Sequence, residues 1–169
     1  VPLRAARAIL GPSDNDRAQA LSTRVGGGSP RLGARRAEET AAALGAELHL
    51  VDGSGLADSN RITCATLLAV LDRLGAAGPV FDGLPVAGRT GTLAGFFRDT
   101  ALAGVLRAKT GNLSVARSLS GYVPGDHDVA FSLVVNGADN DRRAEETLWP
   151  RLALSLAAVP PAPSPADLA

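Results

Sequence analysis

Near Gly104 the spacing of apolar residues changes from a helical period to strict alternation, and the predicted elements change with it. Before that point, Leu3 to Leu10 reads as a short helix stopped by Gly11-Pro12, because proline disfavours helical geometry in the residue before it. Ser13-Asp14-Asn15 is a connector, and Asp16 to Val25 resumes the helical pattern. Gly26-Gly27-Gly28-Ser29-Pro30 predicts an exposed, flexible loop. Arg31 to Leu44 predicts a helix closed by Gly45. Leu48 to Val51 reads as a short extended run, and Asp52-Gly53-Ser54-Gly55-Leu56 as a tight loop. The clearest helix follows, with Thr63 as its cap, Leu67, Leu68, Leu71 and Leu74 on one face, and Gly75 at its end. Phe81 to Thr92 reads as irregular, and Leu93 to Phe97 as one or two helical turns.

From Gly104 onward, Val105, Arg107 and Lys109 point one way while Leu106 and Ala108 point the other, as a half-buried strand requires. Ser118 to Val123 reads as its neighbour. Pro124-Gly125-Asp126-His127 supplies a turn, and Val129 to Val135 forms a third strand with Val129, Phe131, Leu133 and Val135 on one face. Three sequential strands predict an antiparallel meander. Asp141 to Ala158 predicts a last helix bent near Pro150, followed by a Pro-rich tail over 159–169.

At 169 residues and 46% hydrophobic content, the chain suits one domain with a core, over 1–158. Seventeen acidic residues balance seventeen basic ones, so no overall positive field draws the molecule to nucleic acid. One cysteine, Cys64, excludes an internal disulfide, and its apolar setting predicts a buried thiol. With His49 and His127 the only histidines, neither a Cys-based nor a His-rich metal site is expected, and both histidines read as surface or turn residues.

Sixteen of the 17 basic residues are Arg, and the exception is Lys109 within Lys109-Thr110-Gly111. A lysine is a compact charge whose proton affinity shifts readily on burial, which a guanidinium cannot replace. Chance survival in an Arg-rich composition is the plainer reading of Lys109 taken alone. Ser13-Asp14-Asn15 has a plain reading too, as a helix cap, and Gly111 as a sheet-edge glycine. Active-site-serine enzymes that handle penicillin combine Ser-x-x-Lys, Ser-x-Asn and Lys-Thr-Gly. The second and third are present here. The first is absent: the residue three before the only lysine is Leu106.

Four segments in order make the signal specific: Pro12-Ser13-Asp14-Asn15; Val51-Asp52-Gly53-Ser54-Gly55-Leu56 leading to Asn60-Arg61-Ile62-Thr63; Leu84-Pro85-Val86-Ala87-Gly88; and Arg107-Ala108-Lys109-Thr110-Gly111 running on to Ser120-Gly121-Tyr122. In these the chain resembles the DacB-type D-alanyl-D-alanine carboxypeptidases, the low-molecular-mass class C penicillin-binding proteins, over most of its length. The resemblance implies an α/β (α+β) fold, an antiparallel sheet flanked by helices of the penicillin-binding-protein/β-lactamase-like type, of which this chain is the C-terminal portion. By the same resemblance, Ser13 and Asn15 sit on one wall of a cleft, Ser13 relaying protons and Asn15 binding a substrate amide or orienting the nucleophile's lysine. Lys109 lies on the other wall and binds the terminal carboxylate, with Thr110 donating its hydroxyl to it. Gly111 lets the substrate approach the strand, and the backbone N–H of Asn112 is half of an oxyanion hole.

The implied partners are peptidoglycan D-Ala-D-Ala peptides, β-lactams, and the N-terminal part of the same protein as a second chain or further segment that completes the sheet. The implied setting is extracytoplasmic, with no metal or organic cofactor. Three departures stand out: Asn112 where the family usually has a hydroxyl residue, Gln19 near an often acidic position, and Cys64 where many relatives have proline. Ser54 reads as structural, since the strand-to-helix Gly-x-Ser-x-Gly elbow is missing, and Arg61 as a partner for Asp52 or Asp58. Two other readings stay open: a noncatalytic relative that binds peptidoglycan or an assembly partner, and an unrelated α/β domain.

Overall fold

The computed structural model describes residues 2–137 and 147–159. Helices α1 (Leu3–Leu10), α2 (Asn15–Val25) and α3 (Pro30–Ala42) come first. Gly26 to Ser29 is a tight turn that is exposed, as expected, at Gly27 and Gly28 but buried at Gly26; Ser29 caps α3 by accepting from Leu32 N, and Pro30 takes the first helical position, where its missing N–H costs nothing. Glycine is needed where α2 and α3 touch, since a Cβ on Gly33 would lie 2.1 Å from the Ser22 carbonyl oxygen.

A two-residue ladder follows, β1 (Leu48–His49) antiparallel to β2 (Arg61–Ile62). Helix α4 (Cys64–Leu74) is capped by Thr63, whose Oγ1 accepts from Thr66 N, and stops at Gly75 with φ +70°. The Leu67, Leu68, Leu71 face is only half-buried and Leu74 is exposed. The one fully buried side chain of α4 is Thr66, which satisfies its hydroxyl on the Glu47 carbonyl at 2.6 Å. Cys64 stands at the first helical position and is half-buried, not buried.

The stretch expected to be irregular, Phe81 to Thr92, begins inside the short helix α5 (Gly78–Gly83), and the helical turns expected from Leu93 are instead a 3-10 turn over Gly91–Leu93. The backbone cannot continue as helix there, because Phe97 has φ +64°. Strands β3 (Arg107–Asn112), β4 (Ala116–Val123) and β5 (Val129–Asn136) form the antiparallel meander in the order β3-β4-β5. Helix α6 (Trp149–Ala157) closes the described chain, while the part of the expected helix over 141–146 and the tail 160–169 lie outside the described residues.

The alternation read from sequence sorts the sheet into two faces. Leu106, Ala108, Leu119 and Phe131 face a core completed by Leu93, Phe97, Leu102, Trp149, Ala153 and Leu156. Trp149 stacks on Phe97 with ring centroids 5.9 Å apart and meets Phe96 edge-on at 4.7 Å. On the opposite face, Lys109, Ser120 and Ser132 stand side by side in register, and the Ser120 and Ser132 hydroxyls lie 2.9 Å apart. Tyr122 on this face donates its hydroxyl to the Leu71 carbonyl at 2.6 Å, tying α4 to the sheet, and meets Phe81 of α5 edge-on. Burial, helped by the Asp72 charge, raises the Tyr122 pKa. A Cβ on Gly121 would sit 2.1 Å from the Arg107 carbonyl oxygen, so β3 and β4 pack this closely only with glycine there.

Candidate active site

Ser13-Asp14-Asn15 offers three potential caps, and the structure gives that role to the middle one. Asp14 precedes α2 and its carboxylate accepts from Arg17 N at 2.9 Å. Asn15 is the first residue of the helix, half-buried. Ser13, released from capping, is held at φ +61°, a left-handed conformation that a residue with a Cβ rarely adopts. That geometry turns its side chain to β3, where Lys109 Nζ donates to Ser13 Oγ at 2.6 Å.

Lys109 donates a second bond to the Thr110 carbonyl at 2.5 Å. Two neutral acceptors replace only part of the hydration that burial removes, and burial pulls its ammonium below the ordinary lysine pKa. Lys109 and Ser13 are 96 residues apart in sequence. A cation with a lowered pKa against a hydroxyl can attract an anion and pass a proton along the serine.

Thr110 follows on β3, and its hydroxyl donates to Thr92 Oγ1 at 2.8 Å. Gly111 stands opposite Ser118, and a Cβ there would lie 2.2 Å from Ser118 Oγ. The Asn112 side chain accepts from Arg117 Nη1 across the β3–β4 turn, so its amide is engaged within the hairpin.

The Leu84–Gly88 motif had no role assigned from sequence. It runs beside the start of β3 and is bonded to it: Ala108 N donates to the Pro85 carbonyl at 3.1 Å and Ala87 N to the Leu106 carbonyl at 2.9 Å. It leads into Gly91 and Thr92, and Thr92 N donates to the Gly11 carbonyl at 3.2 Å. One segment therefore touches both the strand that carries Lys109 and the turn that carries Ser13. No chemistry-bearing residue marks it, so the sequence offered its pattern but not its purpose.

The Asp52 loop is a polar knot. Asp52 accepts from the Ser54 hydroxyl at 2.5 Å, from Asn60 Nδ2 at 2.7 Å, and from the backbone of Gly55, Leu56 and Ala57. Burial pushes its carboxyl up, but these bonds outweigh that and hold it below the ordinary value. Ser54 is thus part of the loop's own bonding, as expected. Gln19 anchors the loop to α2 by accepting from Gly53 N at 2.9 Å, a task that an acidic side chain at that position can also perform. Arg61, expected to pair with a carboxylate, donates instead to the Asp58 and Asn60 carbonyls. His49 lies on the surface 3.3 Å from Glu38, and His127 is exposed in a turn. No group of three or more His, Cys, Asp and Glu gathers among the described residues.

The profile of the D-Ala-D-Ala carboxypeptidase 3 (S13) family matches residues 6–155. A D-alanyl-D-alanine carboxypeptidase of Actinomadura sp. is 43% identical over 128 residues, covering 67% of this chain and 23% of that protein. Carboxypeptidase DacB of Mycolicibacterium smegmatis is 35% identical over 158 residues, covering 78% of this chain and 33% of that protein. The chain thus spans about a quarter to a third of the length of these curated relatives. Among solved structures, penicillin binding protein 4 of Haemophilus influenzae superposes with a TM-score of 0.76 at 25% identity, covering 89% of this chain and 39% of that one.

Proposed function

The chain belongs to the D-Ala-D-Ala carboxypeptidase 3 (S13) family, and from that premise we propose that it supplies two walls of a serine-type D-alanyl-D-alanine carboxypeptidase acting on peptidoglycan stem peptides outside the cytoplasm. The single observation that carries this reading is the 2.6 Å bond from Lys109 to Ser13, which joins the Ser-x-Asn and Lys-Thr-Gly motifs at one point. The nucleophile comes from a further segment bearing Ser-x-x-Lys, because this sequence contains none. That serine attacks the penultimate D-Ala carbonyl, the terminal D-Ala leaves, and water releases the acyl group. Cross-linked stem peptides are substrates by the same chemistry.

The roles follow from position and charge. Lys109 attracts the terminal carboxylate and biases the Ser13 hydroxyl as a proton relay, and Thr110 donates to the same carboxylate. Gly111 keeps β3 open to a substrate backbone, and Asn112 N supports the oxyanion. Asn15, at the start of α2, is within the same turn as Ser13 and binds the substrate amide or the nucleophile's lysine. β-Lactams are taken in the same way.

Two observations support a completing segment. The outer edge of β5 pairs with no strand among the described residues, and an unpaired apolar edge is a template for another strand. Val25, Leu32, Val51, Leu56 and Ile62 are each between 42% and 54% exposed on the helical side.

A fluorescent penicillin tests the reading. The chain alone is expected to stay unlabelled, and co-production with the Ser-x-x-Lys segment of a family member to restore covalent labelling, which Lys109→Ala then cuts at least about a hundredfold. Labelling of the isolated chain overturns the absent-nucleophile argument. A complex that forms but never labels favours a noncatalytic, peptidoglycan-binding role.

A further inference from the structure

Thr92 belongs to none of the motifs assigned to the chemistry, yet it touches both walls. Its hydroxyl is the partner of the Thr110 hydroxyl at 2.8 Å, and its backbone N–H bonds to the Gly11 carbonyl two residues before Ser13. Its neighbour Gly91 has φ +56°, and a Cβ there would sit 2.4 Å from the same Gly11 oxygen. The turn is thus pressed between the Ser13 loop and β3 with no room for a side chain at Gly91. Behind it, Leu93 is fully buried in the core and accepts from Gly88 N at 3.0 Å, so the turn cannot swing away.

We propose that Thr92 is a positioning residue for carboxylate recognition: it holds the Thr110 hydroxyl in place and reverses their shared hydrogen bond when an anion arrives. The inference rests on the function proposed above. Each hydroxyl has one proton and two lone pairs. In the structure Thr110 donates to Thr92. To donate to a carboxylate, Thr110 must release that bond and would lose a partner. Thr92 prevents the loss by rotating its own hydroxyl and donating to Thr110 Oγ1 in turn. Thr110 then accepts one bond while giving another, an arrangement in which each bond strengthens the other. No proton changes oxygen in this exchange; both hydroxyls only rotate.

Two variants separate this role from a plain structural one. Thr92→Val keeps the shape of the side chain and removes the hydroxyl, and Thr92→Ser restores the hydroxyl alone. In the isolated chain, NMR couplings of Thr110 are expected to show one χ1 rotamer in the wild type and in Thr92→Ser, and rotamer averaging in Thr92→Val. An unaveraged Thr110 in Thr92→Val overturns the proposal whatever the activity. In the complemented protein, Thr92→Val is expected to slow acylation by benzylpenicillin about tenfold, the upper worth of one neutral hydroxyl–hydroxyl hydrogen bond, and to leave acylation by the penicillin methyl ester unchanged. Equal slowing with acid and ester, or none with either, refutes carboxylate positioning. Wild-type protein that labels with neither compound instead refutes the enzymatic reading, and the rotamer result still decides whether Thr92 positions Thr110.

Discussion

The helical wall and the sheet wall carry the two halves of one site but are held together by different means. From residue 2 to residue 82, the fully buried positions are Ala6, Gly26, Gly33, Ala34, Ala41, Ala46 and Thr66, none larger than threonine. From residue 84 onward they include Leu93, Leu106, Leu119, Tyr122, Phe131 and Trp149. The sheet wall has a core in which large side chains exclude water. The helical wall is joined by close backbone contact at glycines and by polar knots such as that around Asp52. Lys109 is thus fixed to the rigid half, and Ser13 to the half with little core of its own. The Gly91–Thr92 turn is where the rigid half reaches across to steady the other.

The largest test of that contrast is a pair of truncations. Leu119→Ala removes a side chain with no exposed surface, and its expected cost is about 3 kcal/mol in urea unfolding. Leu21→Ala, on the half-buried inner side of α2, is expected to cost less than about 1 kcal/mol, because little water-free contact is lost. Equal losses would mean that the helical wall has a core after all.

A smaller effect probes the strain at Ser13. Both Ser13→Ala and Ser13→Gly remove the bond from Lys109, but only glycine is at ease at φ +61°. The glycine variant should be more stable than the alanine variant by about 1 kcal/mol in thermal unfolding. Matching stabilities would show that the turn relaxes freely and that Ser13 is not held by its surroundings. In the complemented protein both variants should lose labelling alike.

The smallest effect concerns the knot that stands in for a core in the helical wall. The folded Asp52 carboxyl titrates below its ordinary value of 3.8, so its contribution is complete above that pH and is lost as pH falls through the lower folded value. The protection factors of the Gly55, Leu56 and Ala57 amides, corrected for the intrinsic slowing of exchange in acid, should therefore fall as the carboxylate is protonated. In Asp52→Asn the same amides should exchange faster at neutral pH and show no acid dependence of this kind. Unchanged protection in that variant would assign the loop's order to something other than its carboxylate. Sheet amides should not respond in either protein.

How much of this was readable from the chain differs by feature. The first two helices, the Thr63 cap, the Gly75 stop and the three-stranded meander follow from local rules, since periodicity, capping and turn chemistry act over a few residues. The failures share a cause. Gly26 looked like a flexible loop because the sequence does not show that Gly33 and Ser29 crowd it. Leu93 to Phe97 departs from the expected helical turns because the chain there is shaped by its bonds to Gly88 and Gly11.

The sequence by itself determined which residues are available for chemistry: one lysine in Lys-Thr-Gly, one Ser-x-Asn, and no Ser-x-x-Lys. Residue types and short spacings are properties of the chain and need no folding to read. Only the tertiary structure decided that Ser13 meets Lys109 and that Thr92 stands between the walls. Those are relations between atoms 18 to 96 residues apart, and only packing brings such atoms within hydrogen-bond reach.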